Sequence, residues 1–390
     1  MIQGKRKIVI ISGVSSIDGG SNAALVENIL NLKNRFEFLI IVPSEGTLSE
    51  ELIEKGINFR IVKGELWRHS LNKKESLKHK IKKILVNLVA DQKLYKIIKE
   101  EKIDLVHINV SATGVGWLAA KSLKRPIIWH LRELNDIDQN YPLDYPKVAA
   151  FMFNRSTLVP ISNFVYNYYN HFLNNSYRLH LIRDGVKVDE LSKIKNLKRT
   201  NKEVLTIGFL GGYQPHKGLK TVLESISLLK LQYPTLDISL EVYGSQYQQN
   251  INTYKELASQ YSIENIVQFH GFSSNLVDTF SSLDVVISAS LEAFGRVVAE
   301  TIVAGRVCLG SDQGATPELI NNGKNGFIFK HQNARDLSEQ IVKIVENWSD
   351  LTEFIKKNRD DEIKRFSSEK TANEIATLYE KLIKGRDKNE

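Results

Sequence analysis

The sequence has a single cysteine, Cys308, so it forms no internal disulfide and offers no thiolate cluster for a metal; a reducing compartment suits it. None of its nine histidines pairs with another at zinc-ligand spacing beside carboxylates. No apolar run approaches the roughly 18 residues of a membrane span, and the run Ile8–Ile11 after the basic N-terminus is too short for a secretory signal. The chain is therefore expected to be soluble, or at most to lie on a membrane. With 8 prolines in 390 residues, 42% hydrophobic and 25% charged, disordered and collagen-like classes are excluded. At roughly 150 residues per domain, the length suggests two or three domains. A net charge of +8 invites phosphorylated ligands, anionic membranes or nucleic acid as partners.

Short β-branched runs alternate with amphipathic segments. Lys7–Ser12, Phe36–Val42, Phe59–Val62, Leu105–Val110, Ile127–Trp129 and Leu158–Ile161 read as buried strands. Ala23–Leu32, Leu48–Lys55 and Val115–Leu123 read as helices between them. The rhythm restarts with strands at Leu205–Leu210, Ile238–Val242, Ile266–Phe269, Val285–Ser288, Val307–Leu309 and Phe327–Phe329. This pattern predicts an α/β chain of two doubly wound, parallel-sheet domains facing a central cleft. The expected divisions are 1–187, a lysine-rich linker over 188–203, and 204–367. Ser349–Lys384 is helical in period, and 368–390 is expected to pack back on the first domain.

In such sheets ligands bind at the carboxyl ends of strands, where helix N-termini present free amides. Three glycine-bearing turns fall there: 13–21 with Gly19-Gly20, 211–218 with Lys217-Gly218, and Glu292-Ala293-Phe294-Gly295 ahead of a helix carrying Glu300. None is a dinucleotide fingerprint or a Walker A loop, because Lys217 precedes a glycine and no Ser or Thr. Each turn taken singly fits a plain strand–helix connection equally well. Together they suggest a diphosphate site, with Lys217 as its point charge.

These residues resemble a known family. Glu292 and Glu300 stand in the E-x7-E spacing of retaining glycosyltransferases of family 4, which have the GT-B fold. Gly314-Ala315-Thr316-Pro317-Glu318-Leu319-Ile320 with Gly323 and Gly326, Lys217-Gly218, Gly19-Gly20, His130 and Arg183-Asp184-Gly185-Val186 are similar to that family's other blocks. The resemblance covers about residues 8–330. It implies transfer of a sugar from a nucleotide-diphosphate sugar to an acceptor hydroxyl, with retention of configuration and without metal or cofactor. A UDP-sugar is favoured, with a GDP-sugar as second option. It implies Glu300 on the ribose hydroxyls, Glu292 on the donor sugar beside the amides of Phe294 and Gly295, and His130 on the sugar from a strand end. Lys217 and the Gly19-Gly20 amides face the diphosphate, so the implied catalytic residues are Glu292, His130 and Lys217. Gly212 departs from the family pattern, which often has Arg there, leaving Lys217 alone or aided by Arg296 or Arg183.

Trp67–Lys102 holds eleven Lys and Arg against four Asp and Glu. Leu77, Ile81, Ile84, Leu85 and Leu88 recur at helical spacing among Lys78, Lys80, Lys82 and Lys83, so 75–100 reads either as a basic amphipathic helix for anionic lipid or as a surface helix burying one stripe. The expected partners are a nucleotide-sugar donor, a glycan or lipid-linked acceptor of cell-surface glycoconjugate synthesis and an anionic membrane, but not nucleic acid. The expected place is the cytoplasm, including the inner face of its membrane. A non-catalytic nucleotide-sugar-binding subunit is the alternative.

Overall fold

The computed structural model describes residues 4–17, 20–71, 76–134, 136–137, 141–174, 178–197, 204–244, 248–273 and 275–388. The chain divides into a unit of residues 1–184 with 368–390 and a unit of residues 185–367.

In the first unit the order is β1 (Arg6–Ile11), α1 (Gly20–Leu32), β2 (Phe36–Val42), α2 (Thr47–Glu54), β3 (Phe59–Ile61) and α3 (Leu77–Glu100). Then follow β4 (Leu105–Ile108), α4 (Trp117–Ser122), β5 (Ile127–Leu131), α5 (Pro146–Phe153), β6 (Thr157–Pro160) and α6 (Asn163–Phe172). The six strands pair in parallel in the order β3-β2-β1-β4-β5-β6. They are near-continuous apolar runs because helices cover both faces of such a sheet. On one face Ile8, Ile10, Ile40, Leu105 and Ile128 form a core with Leu25 and Ile29 of α1.

The second unit runs α7 (Val188–Leu191), β7 (Leu205–Phe209), α8 (Leu219–Gln232), β8 (Ile238–Val242), α9 (Gln248–Gln260), β9 (Val267–Phe269) and α10 (Leu276–Ser281). It continues with β10 (Val285–Ser288), α11 (Arg296–Val303), β11 (Val307–Ser311), α12 (Thr316–Leu319), β12 (Gly326–Phe329), α13 (Ala334–Glu346) and α14 (Trp348–Phe366). Its parallel order, β12-β11-β10-β7-β8-β9, repeats the first sheet's topology. The final helix α15 (Ser368–Asp387) belongs to the first unit, where it packs on α1 through Ile375 and Tyr379.

The stretch expected as a linker packs, as far as residue 197, on the second unit. The buried Arg359 of α14 donates hydrogen bonds to the carbonyls of Leu191, Ile194 and Val303, and the Val186 amide donates to the Phe366 carbonyl at 2.8 Å. Residues 198–203 lie outside the described residues.

In the first unit, α4 is too short to hold itself, and a side chain from α3 caps it. Asp91 Oδ1 accepts from the amides of Gly116 at 3.0 Å and Ala119 at 3.1 Å. Burial pushes the Asp91 carboxyl up to about 6, against the pull of those amides. A folded-state value above the unfolded one means that the stability from this site is full at low pH and is lost as pH rises through about 6. Asp91→Ala should therefore cost about 1–3 kcal/mol in urea unfolding, since it orphans buried amides. Asp91→Asn keeps the acceptor, and it should match wild type at pH 5 and equal or exceed it at pH 8.

Among the described residues no helix is long and apolar enough to cross a membrane.

Candidate functional site

In an open parallel sheet, the crevice outside the strand ends lies where strand order reverses. In the second unit that point falls between β7 and β10, and the loops leaving these strands carry Lys217 and Glu292. Lys217 sits in a short 3-10 turn, Pro215–Lys217, closed by Gly218 in the left-handed region at φ 83°. A Cβ on Gly218 would meet the Ala289 carbonyl oxygen at 2.8 Å, so the turn lies directly against the strand-end loop. The Lys217 ammonium donates to Glu292 Oε1 at 2.7 Å, and the Ser290 hydroxyl donates to the same oxygen at 2.5 Å. Burial pushes the Glu292 carboxyl up, but the Lys217 charge and the Lys217 and Ser290 hydrogen bonds overrule it and hold the group below the usual glutamate range. Being depressed, Glu292 stays ionised through neutral pH, and the pair is lost only as pH falls through that lowered value.

The Glu292 backbone is pinned as well. Its carbonyl accepts from the Ala315 amide at 2.8 Å, and Glu292 bridges to Gly314, where an added Cβ would lie 2.5 Å from that carbonyl oxygen. Gly295, at φ 92°, starts α11. One turn into α11, Glu300 is 6% exposed and accepts from Arg296 Nε at 2.9 Å. The Phe294 side chain is buried, so only its backbone is offered to a ligand. Thr316 Oγ1, at the start of α12, is buried with no hydrogen-bond partner among the described residues. The sequence reading missed Thr316 and Ser290, because neither residue type is distinctive until the fold sets it beside the glutamates.

Gly212 has a physical reason for departing from the arginine pattern. Its φ is 76°, and a Cβ on the neighbouring Gly244 would fall 2.3 Å from the Gly212 Cα. The two backbones meet at a spacing that suits glycine. Of the proposed substitutes, Arg296 is committed to Glu300.

In the first unit the switch point lies between β1 and β4. Gly20 opens α1 there, while Gly19 lies outside the described residues. Asn109, just past β4, donates to the Ser21 carbonyl at 3.3 Å and accepts from Arg132 Nε at 3.2 Å. Arg132 forms a buried ion pair with Asp184. His130 was expected at a strand end with its ring facing out. The structure instead places it one residue inside β5, wholly buried. Side chains alternate along a strand, so His130 shares the face of Ile128, the face that α1 and α15 cover. There it stacks on His107 at 5.2 Å between ring centroids.

The first half of α3 carries a correction too. Lys83, counted among the lipid-facing lysines, is buried: its ammonium donates to Asp144 Oδ2 at 3.1 Å and to the Arg68 carbonyl at 2.9 Å. The apolar stripe, by contrast, lies open, with Leu77 74%, Ile81 48% and Leu85 58% exposed. The stripe that α3 buries is a different one, in its second half, made of Ala90, Leu94, Ile97 and Ile98.

Among the described residues no cluster of three His, Cys, Asp or Glu is placed to hold a metal ion.

Residues 190–361 match the family described as Glycosyl transferases group 1. The chain is 24% identical over 304 residues to an uncharacterized glycosyltransferase of Methanocaldococcus jannaschii, covering 73% of this chain and 78% of that one. It is 24% identical over 380 residues to the N,N'-diacetylbacillosaminyl-diphospho-undecaprenol alpha-1,3-N-acetylgalactosaminyltransferase of Campylobacter jejuni, covering 90% and 93%. Among solved structures, Anabaena Alr3699/HepE in complex with UDP superposes with a TM-score of 0.78 at 17% identity over 96% of this chain and 100% of that one. The likeness bears out the two-domain GT-B fold.

Proposed function

From the match of residues 190–361 to glycosyl transferases group 1, we propose that this chain moves a sugar from a nucleotide-diphosphate sugar to an acceptor hydroxyl. The transfer retains configuration, as in family 4, and uses no metal. The observation that carries this reading is the Lys217–Glu292 pair at the switch point, with Glu300 on the helix that the same loop opens. Breaking the sugar–phosphate bond builds negative charge on the departing diphosphate, and a fixed cation there stabilises the transition state. Lys217 supplies that charge, aimed beforehand by Glu292. Glu292 turns its free carboxylate oxygen to the sugar hydroxyls, Glu300 takes the ribose, and the amides of Phe294 and Gly295 line the sugar. Attack comes from the leaving-group face, and a phosphate oxygen accepts the acceptor's proton. UDP is the favoured nucleotide, in keeping with the UDP bound by HepE. Incubation with UDP-glucose, UDP-galactose and their N-acetyl forms, with proton NMR of the anomeric signal, tests the reaction: an inverted product or absence of transfer would refute it. Gly212 favours a second reading, a donor-binding subunit without turnover, which the same assay separates.

The acceptor is lipid-linked, presented at an anionic membrane on which α3 docks. The open stripe of α3 runs beside exposed Lys78 and Lys82, and α5 adjoins it through the Tyr145 hydroxyl, which donates to the Lys80 carbonyl at 3.2 Å. On α5, Val148 and Phe151 are half-exposed, with the Arg155 guanidinium 3.7 Å over the Phe151 ring. The Campylobacter relative, whose name carries an undecaprenol-linked acceptor, supports this choice. Each lysine near an anionic surface contributes about 1 kcal/mol, so Lys78/Lys80/Lys82→Glu should weaken co-sedimentation with phosphatidylglycerol vesicles by about two orders of magnitude. Equal pelleting of both proteins would remove the docking surface.

A further inference from the structure

In the first unit, the loops that follow β3 and β5 meet in a short antiparallel ribbon. Arg68 bridges to Leu143, the His69 amide donates to the Pro142 carbonyl at 3.2 Å, and the Asp144 amide donates to the Trp67 carbonyl at 2.6 Å. Trp67 fixes the ribbon to the sheet. Its amide donates to the Ala112 carbonyl at 3.0 Å and its indole Nε1 to the Ser111 carbonyl at 2.9 Å. Both carbonyls follow β4, the strand that borders this unit's switch point. On its other side the ribbon holds α3, because the Lys83 ammonium donates to the Arg68 carbonyl and the Tyr145 hydroxyl to the Lys80 carbonyl. The ribbon thus spans from α3 to the strand ends, where a sheet of this kind binds its ligands.

One side chain of the ribbon is aimed and left open. His69 Nδ1 lies 2.7 Å from Asp144 Oδ1, and the Lys83 ammonium donates to Asp144 Oδ2 at 3.1 Å. The Asp144 carboxylate is wholly buried and Lys83 nearly so, while the imidazole is 24% exposed. A carboxylate only accepts, so Nδ1 carries the proton and the neutral ring keeps its lone pair on Nε2. Among the described residues, Nε2 makes no hydrogen bond. A buried charged pair is a costly staple for a loop, and what it fixes here is the direction of one lone pair. Beside His69, the residue before Pro142 is the exposed Tyr141, with the Arg68 guanidinium 5.3 Å from its ring centroid. An aromatic ring next to one aimed polar group is the make-up of a surface that binds a sugar.

We propose that His69 is an acceptor-binding residue, whose Nε2 accepts a hydrogen bond from a hydroxyl of the acceptor glycan. That the glycan is the acceptor rests on the transferase reading; the orientation of the imidazole does not. The place agrees with the two parts of a lipid-linked acceptor: the lipid lies along the open stripe of α3, and the sugar meets the ribbon that α3 holds.

Saturation-transfer NMR of the whole chain with the methyl glycosides of glucose, galactose, N-acetylglucosamine and N-acetylgalactosamine tests the proposal without donor or turnover. At least one glycoside should bind the wild type. His69→Asn keeps an N–H for Asp144 at the place of Nδ1 but has no atom at Nε2. It should therefore unfold in urea like the wild type, yet bind that glycoside about tenfold more weakly, as the loss of one hydrogen bond implies. His69→Gln gives up the bond to Asp144 and sets its amide oxygen near the place of Nε2. It should melt lower than His69→Asn and bind the glycoside better. A ring that only staples the ribbon would give the opposite order in binding. Absence of binding by every glycoside in the wild type, or equal binding by wild type and His69→Asn, overturns the proposal. If glycoside binding follows His69 but no nucleotide-sugar turns over, the transferase reading fails and the glycan site stands.

Discussion

Lys217→Ala should lower kcat by about 10²–10³-fold, the effect of removing one fixed donor from a developing negative charge. The fold should survive, because the Lys217 side chain is 28% exposed and touches no core residue through its ammonium. The substitution has a second consequence. Glu292 loses the charge and the hydrogen bond that hold it down, leaving Ser290 to oppose burial, so its carboxyl should rise and the acid limb of the pH–rate profile should move to higher pH than in the wild type. Donor affinity should fall less than the rate, since the leaving diphosphate gains charge only as the bond breaks. A variant with wild-type kcat and an unmoved acid limb would take Lys217 out of the reaction.

Glu300→Ala acts on binding rather than on rate. A buried carboxylate accepting both ribose hydroxyls makes charged hydrogen bonds of about 1.5–3 kcal/mol, so the donor Kd should rise about 10- to 150-fold. The same loss should appear with the bare nucleotide, because the ribose belongs to it. Glu300→Gln keeps one acceptor and should fall between. The ion pair with Arg296 loses its charge in both variants, yet Arg296 is 23% exposed and can turn to water, so the melting temperature should shift little. A Kd unchanged in both variants would place the nucleotide elsewhere.

The strands were legible because parallel strands buried on both faces are written as apolar runs. Phe36–Val42, Ile238–Val242 and Val285–Ser288 lie where the periodicity puts them. The glycine turns and the Glu292–Glu300 spacing were legible as well, since backbone needs at positive φ and a fixed helical offset leave residue-level marks. What depends on distant partners left none. The helical period runs through Ser367 and Ser368, and the break there comes from a bridge between Ser367 and Val186. Lys83 reads like its neighbouring lysines until Asp144, 61 positions on, comes to lie beside it. His130 reads as a strand-end histidine, but Tyr379 on the last helix closes over its neighbour His107 from 272 residues away. Gly212 looked like a lost arginine, and only the approach of Gly244 shows a position built for glycine.

The central claim is that residues 185–367 hold a nucleotide diphosphate between Lys217, Glu292 and Glu300. Isothermal titration of the whole chain with UDP, and with GDP and ADP alongside, tests it without any acceptor. The account predicts one site per chain for UDP, weakened about 10- to 150-fold in Glu300→Ala. Absence of binding by all three nucleotides, or UDP affinity untouched by Glu300→Ala, would contradict it.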